Sequence, residues 1–295
     1  MKKMRQYINN IWAGAIVLLL SMAACNSSDD IQQLPESDVM TFEVLHPEQN
    51  GQSRLADTGF ETDDQIGLYL TNQNIPLELS GNYVNNMLLS YTGSAWTSEK
   101  PIYWNEGNYD IYAYYPYDQN LSSVDDMPLK VSTEQHVIEN YAMSDFLWAG
   151  KKNVEASDGK VTLQFEHRMS RMVIKLAKGQ DYEGELPEDA EVYIHNTVTS
   201  ATADLSVGVV TRNSRGVAET IRAKSLGSHR YAAIIVPQRL NNRQPLVEVV
   251  MKGVSYLYES KFLFKQGVQH NVLLTISKNP EQVKIEIGGE IENWN

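Results

Sequence analysis

The residues able to do chemistry are few and scattered. Cys25 is the only cysteine in 295 residues, and the six histidines (His46, His136, His167, His195, His229, His270) never lie within five residues of one another. No His or Cys cluster therefore has zinc spacing. No glycine-rich phosphate loop or Gly-x-Ser-x-Gly elbow is present either. The acid pairs Asp63-Asp64 and Asp125-Asp126 could contribute to a calcium site, but they lack EF-hand spacing, and adjacent acids in polar loops are usually solvated. The expectation is no catalytic residue, no metal and no cofactor, and hence no enzyme. Only the lone thiol stands out, because of its neighbours. A basic tip (Lys2, Lys3, Arg5), an apolar run (Ile11–Leu20) and the small pair Ala23-Ala24 precede it, and a polar stretch (Asn26–Asp30) follows. That order is the pattern of a secretory signal peptide over residues 1–24.

A signal peptide that ends on a cysteine resembles the lipobox of bacterial lipoproteins, in which the thiol is acylated and becomes the new N-terminus. Met22 departs from the commoner leucine three positions before the cysteine. A transmembrane helix would need about 20 apolar residues, roughly twice this run. Lipidation at Cys25 would anchor the precursor to the outer membrane, since each buried methylene contributes about 0.8 kcal/mol. Residues 25–37 read as a tether, and Ser27–Asp30 resembles the acidic tether of Bacteroidetes lipoproteins sent to the cell surface. The formal charge of −12 becomes −15 once Lys2, Lys3 and Arg5 leave with residues 1–24. Such acidity argues against nucleic acid or anionic lipid headgroups as partners.

Beyond the tether, apolar residues recur with period two, as half-buried strands require. Met40, Phe42 and Val44 form one such set; others are Ile66–Leu70, Val161–Phe165, Val272–Ile276 and Val283–Ile287. Turn chemistry such as Lys252-Gly253 and Gln266-Gly267 separates the runs. The class is all-β. A change of character near residues 150–160 divides the chain into domains at 38–158 and 159–295. Within Val161–Leu176 the apolar set switches from odd to even positions, which predicts a bulge or bend near His167–Arg171. The densest bias is Tyr109–Tyr117, with Ile111, Ala113 and Tyr115 on one face and Tyr112 and Tyr114 on the other. Two readings of those tyrosines stand side by side: a solvent face that stacks on sugar rings, or rings half-buried in a strand.

Seven segments in order carry a family resemblance: Asp64–Tyr69, Pro101–Trp104, Tyr109–Tyr117, Ser144–Ala149, Phe165–Ser170, Tyr231–Gln238 and Ile291–Trp294. With the lipobox, they make the chain similar to the fimbrillin (Mfa-like) family, the lipoprotein subunits of type V pili in Bacteroidales. The resemblance implies two tandem transthyretin-like β-sandwiches. It also implies assembly with other pilus subunits: a protease cuts after an arginine behind the first strand, and a neighbour's strand fills the groove left open. Here the exchanged strand would be Val39–Leu45, with Met40, Phe42 and Val44 facing in. Arg54-Leu55 would be the cleavage point, since Arg54 is the only arginine between that strand and Ile66. The precursor would sit at the cell surface on its lipid and join a fimbrium after processing. A chain that closes on Ile291–Trp294 without an added donor strand would be a tip or accessory subunit, with adhesion as its purpose. The alternative is a monomeric surface lipoprotein that captures a glycan or host ligand.

Overall fold

A computed structural model describes residues 38–47, 59–279, 284–286 and 292–294. The first strands are β1 (Phe42–Leu45), β2 (Gln65–Asn72), β3 (Val84–Tyr91), β4 (Trp96–Ser98), β5 (Tyr109–Tyr115) and β6 (Met127–Lys130). After the short helix α1 (Ile138–Ala142) come β7 (Leu147–Val154), β8 (Val161–Gln164), β9 (Glu166–His167) and β10 (Ser170–Lys178). Next are β11 (Glu191–Val198), β12 (Ser200–Asp204), β13 (Val209–Arg212), β14 (Ala218–Arg222), β15 (Lys224–Gly227) and β16 (Arg230–Ile235). The series closes with β17 (Gln238–Met251), β18 (Val254–Phe264), β19 (Val268–Ile276), β20 (Lys284–Glu286) and β21 (Glu292–Asn293). The fold is nearly all β, as the period-two pattern demands.

Among the described residues the strands form five sheets. One is ordered β4-β3-β2-β5-β7-β9, and a second is β15-β16-β10-β19-β20, with β21 also on β19. A third is β14-β11-β17-β18, a fourth β13-β12-β6, and β1 pairs with β8 alone. The long β17–β18 hairpin turns on Lys252-Gly253, both at positive φ (51° and 76°), the conformation a tight two-residue hairpin needs.

Two hydrophobic cores result. The smaller one gathers Met40 and Val44 with Ile66, Leu68, Leu70, Ile111, Leu147, Val161, Leu163 and Phe165. The larger runs from Tyr69, Tyr112 and Tyr114 through Met172, Ile174, Val192, Ile194 and Val249 to Trp294. Residues 37–295 form one compact unit. Val161, Leu163 and Phe165 lie beyond the 158/159 break expected from composition, yet they pack in the smaller core. The parity switch has a clear cause: β8 pairs with β1 and β9 with β7, whereas β10 pairs with β16 and β19. Near Arg168 the chain leaves one sheet for another, so its inward face changes.

One expectation of alternation fails. The first sheet's central strands, β2 and β5, are buried on both faces, because the tyrosine side is covered as well as the aliphatic side. Tyr112 is 4% exposed and Tyr114 1%, so neither ring can stack on a sugar in solvent. Tyr114 instead lies over Gly67, its direct cross-strand partner. A β-carbon added at Gly67 would come within 2.2 Å of the ring. The tyrosine hydroxyl donates to Asn86 Oδ1 at 2.8 Å, and burial pushes its pKa well above 10. Tyrosine therefore serves as core, with its polar tip satisfied.

Two buried side chains extend sheets where strands run out. The last paired residues of β15 and β16 near the exit are Lys224 and Ala232, so Ile234 has no strand beside it on that edge. Gln135, fully buried, takes that place: Ile234 N donates to Gln135 Oε1 at 2.8 Å, and Gln135 Nε2 donates to the Ile234 carbonyl at 2.7 Å. Gln238 does the same for Val198, with both bonds at 3.0 Å. Gln135→Leu keeps the volume but strands an N–H and a carbonyl, each costing about 1–3 kcal/mol. Denaturant unfolding should show a loss in that range or larger, while Gln135→Glu at low pH, where the carboxyl can donate, should recover part of it.

His270 is buried against Phe262 (5.1 Å) and Phe264 (6.2 Å). Burial, and then the Lys265 charge, pull its pKa from 6.5 to about 4. A lowered folded pKa means that between about 4 and 6.5 the unfolded chain takes up the proton more readily than the folded one. This contribution to stability is therefore complete above pH 6.5 and lost as the pH falls toward 4. Unfolding midpoints across that range should decline on acidification, and His270→Gln should flatten the decline.

Candidate functional site

β1 forms because Met40, Phe42 and Val44 alternate with polar Thr41 and Glu43, giving one face to the core. Met40 and Val44 are buried, and Phe42 packs against the same cluster from a partly buried position. The strand runs parallel to β8 over four pairs, Phe42 opposite Val161 through Leu45 opposite Gln164. Val161 N donates to the Thr41 carbonyl at 2.9 Å, and Phe165 N to the Leu45 carbonyl at 3.0 Å. On its solvent side Glu43 accepts from Thr162 Oγ1 at 3.0 Å and lies 3.5 Å from Lys160. The opposite edge is held differently. Among the described residues it is tied only ahead of the strand, where Met40 N donates to the Ile102 carbonyl (2.7 Å) and Trp104 N to the Asp38 carbonyl (2.6 Å). Residues 42–45 thus carry a ladder on one side.

Beyond the strand an aromatic column continues its inner face. His46 is 8% exposed and meets Phe60 edge-on at 5.0 Å and His167 edge-on at 5.9 Å. Phe60 is a hub, edge-on to Trp96 (4.9 Å), Tyr115 (5.7 Å) and Phe165 (5.8 Å). His167 stacks flat on Trp294, 3.8 Å apart and 6° from parallel. Its Nδ1 lies 2.8 Å from Asp145 Oδ2. Arg171, also buried, lies 5.6 Å from the Trp294 ring, and Lys224 Nζ sits 4.4 Å from the Tyr141 ring. Part of this group lines a cavity of about 370 Å³ whose walls include His46, Phe60, Asp64, Tyr115, Asp145 and Trp294. Trp294 is held there by its backbone N–H on the Gly267 carbonyl (2.9 Å) and by the β19–β21 pairing.

The structure brings together Met40, Phe42 and Val44, as the alternation indicates. Cys25, Arg54 and Leu55 lie outside the described residues. Sequence reasoning missed His46, although it continues the same parity two residues after Val44. His167 and Trp294 belong to segments noted for resemblance, but nothing local says that their rings stack.

Other polar residues explain themselves as structure. Asp64 accepts from the Glu61 N–H (2.7 Å) and the Tyr115 hydroxyl (3.1 Å), so it closes a turn. Burial, followed by the Asp64 charge, raises the pKa of Tyr115. Among the described residues no three His, Cys, Asp or Glu side chains converge as metal ligands. His195 lies 2.9 Å from both Thr220 Oγ1 and Glu248 Oε2. Ser255 and then His195 hold the Glu248 carboxyl below its ordinary range. These side chains lie on the partly exposed face of the β14-β11-β17-β18 sheet, where cross-strand polar pairing is ordinary.

No curated protein matches the chain. A candidate cell adhesion protein of Bacteroides uniformis superposes with a TM-score of 0.69 at 20% identity, covering 89% of this chain and 100% of the other. One from Bacteroides ovatus gives 0.68 at 18% identity, covering 87% and 97%. A fimbrial protein of Bacteroides vulgatus gives 0.52 at 14% identity, covering 88% and 100%. At these identities the likeness is one of fold. The model of the fimbrillin-like family matches residues 53–294, starting after β1 and ending on Trp294. The chain belongs to the fimbrillin-like family.

Proposed function

We propose that this protein is a cell-surface pilus subunit or adhesin, exported as a lipoprotein through Cys25 and assembled by exchange of β1 after cleavage between Arg54 and Leu55. Family membership supports the broad role, and the fimbrial and adhesion proteins that share the fold agree with it. The observation that carries the exchange step is the one-sided ladder of residues 42–45. Departure of the segment breaks the β8 ladder and, ahead of the strand, the backbone bonds to Ile102 and Trp104, but no second ladder along residues 42–45 among the described residues. Its departure opens a groove in which β8 offers unpaired N–H and C=O groups, which another strand can pair with. Met40 and Val44 each contribute about 1.5–3 kcal/mol of burial and the partly buried Phe42 a share of that, so an empty groove is costly and a replacement strand with the same alternation recovers the loss.

A tip or accessory role is part of this reading. Its support is that the C-terminal segment serves its own subunit: β20 and β21 both pair with β19, and Trp294 is buried in the larger core. Two tandem sandwich domains also belong to it, with the first domain's core running as far as Phe165. The glycan-capturing alternative loses its original support, since Tyr112 and Tyr114 are buried.

Two measurements test the proposal. N-terminal sequencing of protein extracted from the cell surface should begin at Leu55, and Arg54→Ala should leave the precursor uncut and absent from fibres. An acylated Cys25 retained on fibre-borne protein would contradict it. Palmitate labelling should mark the wild-type precursor and vanish in Cys25→Ala, which should accumulate unanchored.

A further inference from the structure

The inner face of β1 and its flanking residues has four positions. Met40, Phe42 and Val44 are followed at the same parity by His46, which is 8% exposed. The sites of Met40 and Val44 are closed by the smaller core, as protein interiors ordinarily are. The fourth site differs. Its walls are flat rings, with Phe60 edge-on at 5.0 Å and His167 edge-on at 5.9 Å, backed by Trp294. Beside the imidazole lies the cavity of about 370 Å³, which His46 itself helps to line. Rings that face empty space forgo the contacts a larger side chain would supply.

The polar lining has a sign. Glu61, Asp64, Glu139 and Asp145 border the cavity, against one cationic side chain, Lys224. Asp145 Oδ2 lies 2.8 Å from His167 Nδ1, and its Oδ1 is buried without a hydrogen-bond partner. Buried atoms without a partner line the seat in both senses, the acceptor Asp145 Oδ1 and the donor Trp294 Nε1, so a ring whose tip carries an N–H or O–H can meet the free carboxylate oxygen there.

We propose that this seat is the specificity pocket for the incoming strand, and that it selects a partner whose fourth inward residue is a larger ring with a donor at its far end, tyrosine or tryptophan. Such a ring keeps the edge-on contact with Phe60 and lies against His167, while its body enters the volume that imidazole leaves empty. Its O–H or N–H faces a carboxylate-rich lining. The resident strand is then a placeholder that under-fills its last site, and exchange for a better-fitting strand runs downhill. This inference rests on the exchange reading for its biological setting; the room beside His46 does not depend on it.

The experiment has two arms. In the full chain, His46→Tyr and His46→Trp should raise the thermal midpoint, whereas His46→Ala should lower it. If both aromatic variants lower it as alanine does, the seat has no room and the proposal is overturned. In chain cleaved after Arg54, synthetic peptides of residues 38–47 carrying His, Tyr or Ala at position 46 compete for the groove. The Tyr peptide should bind about tenfold more tightly than the His peptide, and the Ala peptide more weakly than both. Equal affinity for the three overturns the pocket and leaves strand exchange standing. Binding by none of them, with the aromatic gain in stability present, overturns strand exchange and with it the pocket's role.

Discussion

The smaller core is closed by a short parallel pairing: residues 42–45 laid on residues 161–164. That contact joins segments more than a hundred residues apart and supplies the core's only cover from the chain's N-terminal side among the described residues. Isolated two-stranded pairings are weak on their own, so β1 depends on its inward side chains, not on its ladder. A strand held chiefly by burial can be replaced by any other that buries the same face. Among the described residues β8 pairs with β1 alone, and the other four sheets take no pairing from β1.

The same strand reaches the far end of the chain. His46 touches His167, and His167 stacks on Trp294, so the end of β1 and the C-terminal strand meet at one aromatic column. β21 itself has just two paired residues on β19, and Trp294 adds the buried area that so short a strand lacks. The column also lies where the chain passes from the smaller core to the larger, next to Arg168. Burial pulls the Arg168 guanidinium below its ordinary pKa, and it packs over Trp148 at 4.6 Å.

Much of this was legible in the sequence, for reasons that can be named. The all-β class follows from period two, and the inward set Met40, Phe42 and Val44 follows from the same alternation. The parity switch after Phe165 correctly marked the place where the chain changes sheets. What was hidden is of another kind. Alternation assumes one wet face, and β2 and β5 have none, because tyrosine reads as amphipathic whether or not its hydroxyl is buried. Gln135 and Gln238 look like surface residues by composition, yet each acts as a rung for a strand that ends early. His46 was passed over because a histidine after a strand resembles a loop residue. Its role depends on Phe60 and His167, and no local pattern announces contacts of that range.

The central claim is that β1 is a replaceable part of an otherwise complete fold. It is tested most directly by preparing chain cleaved after Arg54 in two forms, one uniformly labelled with a heavy isotope, and mixing them under native conditions. Native mass spectrometry then reads the pairing of N-terminal fragment with body. The account predicts mixed heavy–light pairs appearing while amides in β10 and β19 stay protected from hydrogen exchange. Parental pairs that persist until the whole chain unfolds would contradict it.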